Sequence, residues 1–385
     1  MEKRRPSWVV GAGEECYNLS KLVPETSIDE GSSYMRHRSC LAFRLLTIAV
    51  TTSFPIVLAQ SQSAPAPQAK PGASKPWTPA RTRDGRPDLQ GIWHNNDATP
   101  LERPKELAGR PFLTDDEVAE FKKRTQRLFG SDLNSDFAGG DNFFLAALTN
   151  PSIYKNPNST GGADAVVDRV FDNRTSLIVD PSDGRIPPMT AEGQRRRVAG
   201  NAAAFLAPRA SPPAGPEELS AFIRCISYGV PRIGGAAASY NSYYQIVQTP
   251  TYVMLLSEVT HDARIIPLDG RPHLPQGLRH WDGDSRGRWQ GDTLLVETTN
   301  FSPQSNLLGS GEHLQVVERF TRAARDRIDY EITLTDATTW TRPWTALVRL
   351  HLSADKIFED ACHEGNGTVM EGVLGGARAE DTPRR

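Results

Sequence analysis

The second half of this chain limits its fold more than any other feature. From Ser239 onward, short segments alternate apolar and polar residues and are separated by Gly, Pro, Asn and Asp. A period of two is that of a strand with one buried face. The pattern predicts strands at 243–248, 252–260, 263–268, 293–299, 314–322, 328–336, 346–352 and 357–363. No helical crossovers separate them, so they pair as an antiparallel up-and-down meander. An open meander exposes two unpaired edges, and closure into a barrel or a strongly curled sheet protects them. A two-sheet sandwich is the competing arrangement. The fold class is mainly β, with a helical, loop-rich N-terminal part.

That N-terminal part covers 87–238, and the barrel covers 239–380. Within "PFLTDDEVAEFKKRTQRLF" (111–129), Thr114 is an N-cap, acids fill the first turn and bases the last, which complements a helix dipole. Residues 130–170 are rich in Gly, Asn and Asp and read as long loops. The stretch 175–190 reads as a strand, an Asp-Gly turn and a short second strand, and 191–206 as a second helix ended by "APRASPPAGPEE".

Ahead of the fold, Met35 opens "MRHRSCLAFRLLTIAVTTSFPIVLAQ", which has a basic start, an apolar run and the small-residue ending Val57-Leu58-Ala59. This is the pattern of a secretory signal peptide over 35–59. Residues 1–34 lack periodicity and read as a non-native leader, and peptide sequencing that found a mature N-terminus upstream of Met35 would contradict this. The competing reading, a membrane anchor, needs ~20 apolar residues, more than the run provides. The Pro- and Ala-rich stretch 60–86 is a linker too poor in large aliphatics to order itself, with the fold starting near Pro87. The destination is the periplasm or the exterior, with no membrane association after cleavage.

Several function classes are disfavoured. A net charge of -2 and a pI near 6.5 give no basic field for nucleic acid. No G-x-S-x-G, P-loop or Rossmann spacing occurs, and no H-x-H, H-E-x-x-H or paired-Cys spacing, so neither a cofactor nor a metal is expected.

The chemistry is sought in polar residues that share an apolar strand face. In 314–322 one parity reads Leu314, Val316, Glu318, Phe320. The same test places Glu258 with Met254 and Leu256, Glu364 with Phe358 and Cys362, and Arg264 with Ile266 and Leu268. Buried carboxylates are costly unless paired, so these groups form either a structural ion-pair network or a polar patch in a ligand cavity. A register slip of one residue would instead turn them all outward. In "HDARIIPLDGRPH" (261–273), His261 and His273 lie near opposite ends of a strand-and-turn unit, and Asp262 and Arg264, two apart, make a salt bridge. His261 is the candidate general base, against a bland strand-end histidine. Tyr243, Tyr244, Trp281 and Trp289 are candidate stacking residues at a barrel mouth, together with the neighbouring His363; the alternative is core and rim packing.

Two resemblances follow from quoted residues. Gly91-Ile92-Trp93, where linker meets fold, resembles the G-x-W that opens the first strand of lipocalin-like (calycin) barrels, and the meander is similar to theirs. The resemblance implies the barrel architecture, although here helices and long loops intervene. "YQIVQTP", "HDARIIPLDGRPH", "GDSRGRWQGDTL", "TTWTRPWT" and "ACHEGN" resemble a group of uncharacterised secreted proteins of soil-type bacteria, over most of 87–380, which implies no activity.

Two functions are carried forward. One is an exported barrel binding a small apolar, aromatic or carbohydrate ligand. The other is a cofactor-independent lyase, isomerase or hydrolase, with His261 or Glu318 as base, Glu364 as acid and Arg264 holding an anionic group. A structural envelope protein is a third possibility. Of four cysteines, Cys16 and Cys40 precede the mature chain, which leaves Cys225 and Cys362. In an exported protein two cysteines read as one disulfide, against two buried thiols or a reactive Cys362 beside His363. The oligomeric state is not legible.

Overall fold

The period-two segments become one ten-stranded antiparallel sheet in a computed structural model, which describes residues 77–129, 141–148, 169–202, 213, 215–233 and 242–380. The strands are β1 (Gly91–His94), β2 (Ile178–Asp180), β3 (Tyr243–Gln248), β4 (Tyr252–Ser257), β5 (Ala263–Pro267), β6 (Asp284–Gln290), β7 (Thr293–Thr299), β8 (Gln315–Ala324), β9 (Arg327–Thr335) and β10 (Trp344–Ser353). Four helices accompany them: α1 (Asp115–Phe129), α2 (Asp141–Leu148), α3 (Ala191–Ala202) and α4 (Asn366–Glu380).

Along the sheet the order is β5-β4-β3-β1-β10-β9-β8-β7-β6, and β2 pairs with β10 off this path. The meander is therefore joined by a strand from far upstream: β1, which carries Gly91-Ile92-Trp93, lies between β3 and β10. The sheet is curled and not closed. Every step along the path is antiparallel, and an even number of steps separates β5 from β6, so these two edges run in the same direction. They cannot extend the antiparallel ladder, and they meet through side chains instead. A Cβ built on Gly287 of β6 would lie 2.6 Å from Leu268 and 2.9 Å from Ile266 at the end of β5. Gly287→Val is expected to wedge this seam apart and cost about 1–3 kcal/mol, which the urea midpoint would show; an unchanged midpoint would mean the edges do not touch in solution.

The inner face is continuous. Trp93, Trp344, Ile246, Ile266, Leu294, Ile328 and Ile332 are fully buried. The Arg322 guanidinium lies 4.5 Å from the centre of the Trp93 ring, and the Trp93 indole donates to the Leu89 carbonyl at 2.9 Å. A second core joins α1 and α2 through Phe121, Phe144, Phe171, Leu107 and Leu113. Buried and half-buried ion pairs fasten this part to β10: Arg174 bonds Asp97 at 2.5 Å, Asp172 at 2.6 Å and the Leu347 carbonyl at 2.5 Å, while Arg349 bonds Asp172 at 2.7 Å.

The α1 cap is the predicted one. Thr114 Oγ1 accepts from the Glu117 amide at 3.3 Å and Glu117 accepts from the Thr114 amide at 2.8 Å, a reciprocal capping box. Other expectations are corrected. β4 ends at Ser257 because Thr260 takes a left-handed φ of 56° in a short 3-10 turn, Val259–His261. Residues 357–363 form no strand and lead instead into α4. β6 was not anticipated: Arg288 faces out, Arg286 turns to Asp284, and Gly287 faces in with no side chain to signal burial. α2 lies within the stretch read as loops, and the hairpin expected at 175–190 reduces to β2 plus a single bridge from Met189 to Trp340.

The stretches read as leader and signal peptide and residues 60–76 of the linker lie outside the described residues. At the end of the linker Arg81 bridges to Pro87 and pairs with Asp292 at 3.0 Å. Cys225 and Cys362 form the expected disulfide, with an S–S distance of 2.04 Å and Cα atoms 5.7 Å apart. Among the described residues no helix is long and apolar enough to cross a membrane.

Candidate functional site

Because β5 and β6 run the same way, their first residues lie at one end of the curled sheet. There the segment 226–232, the turn before β6 and the inner faces of β3, β8 and β9 enclose a cavity of about 500 Å³. Its walls combine Ile246, Leu255, Phe320 and Leu350 with a set of charged and hydroxyl side chains.

Glu318 is the deepest of these, at 0 % exposure. The alternation of β8 forces it inward between Val316 and Phe320, as its parity predicts. Arg264, reaching across from β5, meets it with both terminal nitrogens: Nη2 donates to Oε1 at 2.9 Å and Nη1 lies 2.9 Å from Oε2. Tyr330, inward on β9, donates its hydroxyl to Oε1 at 2.5 Å. Burial and the Glu318 charge push the Tyr330 phenol well up, so it stays a donor, and the carboxylate raises the Arg264 guanidinium against its own desolvation. A guanidinium facing both carboxylate oxygens, with a tyrosine hydroxyl as a further donor to Oε1, is an arrangement in which a buried carboxylate is tolerated, while Oε2 receives no hydrogen bond among the described residues.

Nearer the opening stand two further acids. Burial raises Asp262, opposed by a 2.7 Å hydrogen bond from Thr260 Oγ1. Burial also raises Asp282, and the Asp262 charge adds to the effect, while a hydrogen bond from Ser227 Oγ opposes it. Arg232 donates to Ser257 Oγ at 2.8 Å, with its guanidinium 4.7 Å from the centre of the Tyr228 ring and 5.7 Å from that of Tyr244. Burial likewise pushes the Tyr244 phenol up. Its hydroxyl is buried and has no hydrogen-bond partner among the described residues.

Of the residues singled out from sequence, Arg264, Glu318, Asp262, Tyr244 and Trp281 line this cavity. The expected Asp262–Arg264 salt bridge does not form, because Arg264 turns inward to Glu318. His261 is exposed; its Nδ1 lies 2.9 Å from the Asp360 carbonyl and its ring 6.3 Å from that of His363, also exposed. Glu364 is exposed in the turn before α4, since no strand exists there to point it inward. Glu258 is buried, but not on the inner face of β4, which Val253 and Leu255 occupy; it follows the strand and accepts from the Phe358 amide at 3.0 Å. His273 Nδ1 lies 2.9 Å from Asp284, whose carboxyl is held low by hydrogen bonds that outweigh its burial. Tyr243 stacks on His94 at 4.1 Å and donates to Asp355 at 3.1 Å. Trp289 lies under Arg86, 5.9 Å from its guanidinium. Trp340 and Trp344 pack edge to face in the core.

Tyr330, Asp282, Arg232 and Ser227 were not anticipated. Tyr330 was within reach of the parity test, since it alternates with Ile328 and Ile332. The other three sit on segments without periodicity. A second cavity of about 410 Å³ lies behind Tyr228, Gly229, Val230 and Trp281, which also line the first. Among the described residues no three His, Cys, Asp or Glu side chains converge as a metal site. No protein-family model, no curated protein and no solved structure matches this chain.

Proposed function

We propose that this chain is an exported binding protein that takes a small molecule with an apolar or aromatic body into the interior of its curled sheet. The cavity carries the reading: a purely structural sheet packs its interior to crystal-like density, whereas here about 500 Å³ remains beside Phe320, Leu255 and Leu350, within the usual range of small-molecule sites. Export is supported by the signal-peptide pattern over 35–59 and by the Cys225–Cys362 bridge, which suits an oxidising compartment. The lipocalin-like reading is supported by β1, whose Gly91-Ile92-Trp93 strand pairs with the last strand of the meander.

A thermal-shift series with small aromatic and glycoside probes tests this. A true ligand at a hundred times its Kd should add about 2.7 kcal/mol of stability, and Leu255→Trp, which fills the cavity, should abolish the effect. Stabilisation that survives Leu255→Trp places the ligand elsewhere and refutes the proposal.

Asp262 and Asp282 favour a second reading, a cofactor-independent enzyme that moves a proton. Two acids raised by burial at the mouth of an apolar cavity suit general acid–base work better than the exposed His261 and Glu364. On this reading Asp282→Asn lowers turnover about 10²–10⁴-fold with ligand affinity retained.

A further inference from the structure

Charge on the cavity wall is interleaved rather than polarised. Arg264 is matched by Glu318 and Arg286 by Asp284, at 2.5 Å. Arg232 lies over Tyr228, and Asp262 and Asp282 line the same cavity. A ligand carboxylate entering there meets two acids, and a ligand ammonium meets Arg232 and Arg264. A ligand of either sign therefore meets like charge as well as opposite charge, and desolvating an ion against like charge is unfavourable. Two buried oxygens of this wall accept or donate no hydrogen bond among the described residues, Glu318 Oε2, which faces Arg264 Nη1 at 2.9 Å, and the neutral Tyr244 hydroxyl, which faces no counter-group. Tyr244 Oη is buried in the cavity wall with no hydrogen-bond partner among the described residues, and a buried hydroxyl in that state lacks the interaction it had in water. Phe320, Leu255 and Ile246 supply a flat apolar surround for a ring.

Resting on the binding reading above, we infer that the ligand is a neutral, hydroxyl-bearing aromatic molecule, a phenol or aryl alcohol, whose hydroxyl seats against Tyr244 Oη. A phenolic hydroxyl both donates and accepts, and so does tyrosine, so the pair can adopt either sense. Asp282, with Ser227 on one oxygen, stands ready as a second partner at the opening.

The test holds the apolar body constant and changes the head group. Naphthol, naphthalene, naphthoate and naphthylmethylamine are titrated at neutral pH into the full chain and into Tyr244→Phe, with affinities read by calorimetry. Naphthol is expected to bind about tenfold more tightly than the other three. Tyr244→Phe is expected to erase that advantage and leave naphthalene unchanged. The variant removes an unpartnered hydroxyl, so its melting temperature should equal or exceed that of the parent, which a thermal scan verifies. Tighter binding of either charged probe overturns the inference, as does a naphthol preference that persists in Tyr244→Phe. If naphthalene binds and naphthol binds no better, the head-group assignment fails while the binding reading stands. If no probe binds, both fail.

Discussion

Glu318→Leu is expected to destabilise the protein by about 3–5 kcal/mol, because it leaves the Arg264 guanidinium buried without a counter-charge. Glu318 is fully buried, and it holds Arg264 through two contacts of 2.9 Å and Tyr330 through one of 2.5 Å. Removing it therefore strands two partners. The pair as a whole is a different matter, since buried ion pairs are commonly replaceable by apolar residues of similar volume at little cost. Adding Arg264→Met to Glu318→Leu should accordingly recover most of the loss. Urea midpoints of the two single variants and the double variant give the coupling directly. A single-variant loss below about 1 kcal/mol, or a double variant that simply adds the two single effects, would mean that the pair is open to water.

Loss of the Cys225–Cys362 bridge should cost up to about 5 kcal/mol. The cysteines are 137 residues apart, and by the chain-entropy argument a loop of that length constrains the unfolded chain by about that amount. The bridge also bears on the cavity: Cys225 is followed directly by Ile226 to Arg232, which form part of its wall, and Cys362 anchors that segment to the stretch before α4. Cys225→Ser with Cys362→Ser should lower both the urea midpoint and the affinity for any cavity ligand. An unchanged affinity in a folded double variant would show that the wall is held by other contacts, such as the 3.0 Å bond from Asn366 Nδ2 to the Ile223 carbonyl.

Local pattern was informative where one side of an element faces the core. The alternation of β8 announced an inward Glu318, and that of β5 an inward Arg264, because side chains a strand apart by two share a face. The Thr114 capping box was equally legible, since its partners are three residues apart. The same test misled at Glu258 and Glu364. It assumes that the strand continues, and Thr260 ends β4 with a left-handed residue while 357–363 never becomes a strand. β6 was invisible because an inward glycine flanked by two arginines carries no apolar period.

Period two over the second half sufficed for an antiparallel, mainly β fold, and the two cysteines that follow the signal-peptide pattern sufficed for the bridge, because each depends on spacing along the chain or on a count. Where β1 inserts, which edges face one another, and which side chains then meet are set by contacts between distant residues. The β1 insertion makes the path one of nine strands, so β5 and β6 run in the same direction, and no ladder joins them. That arrangement brings Arg264 to Glu318, leaves the cavity, and gathers Asp262, Asp282 and Arg232 on its wall. No spacing within any one segment encodes these meetings, because they arise from how the whole sheet curls on itself.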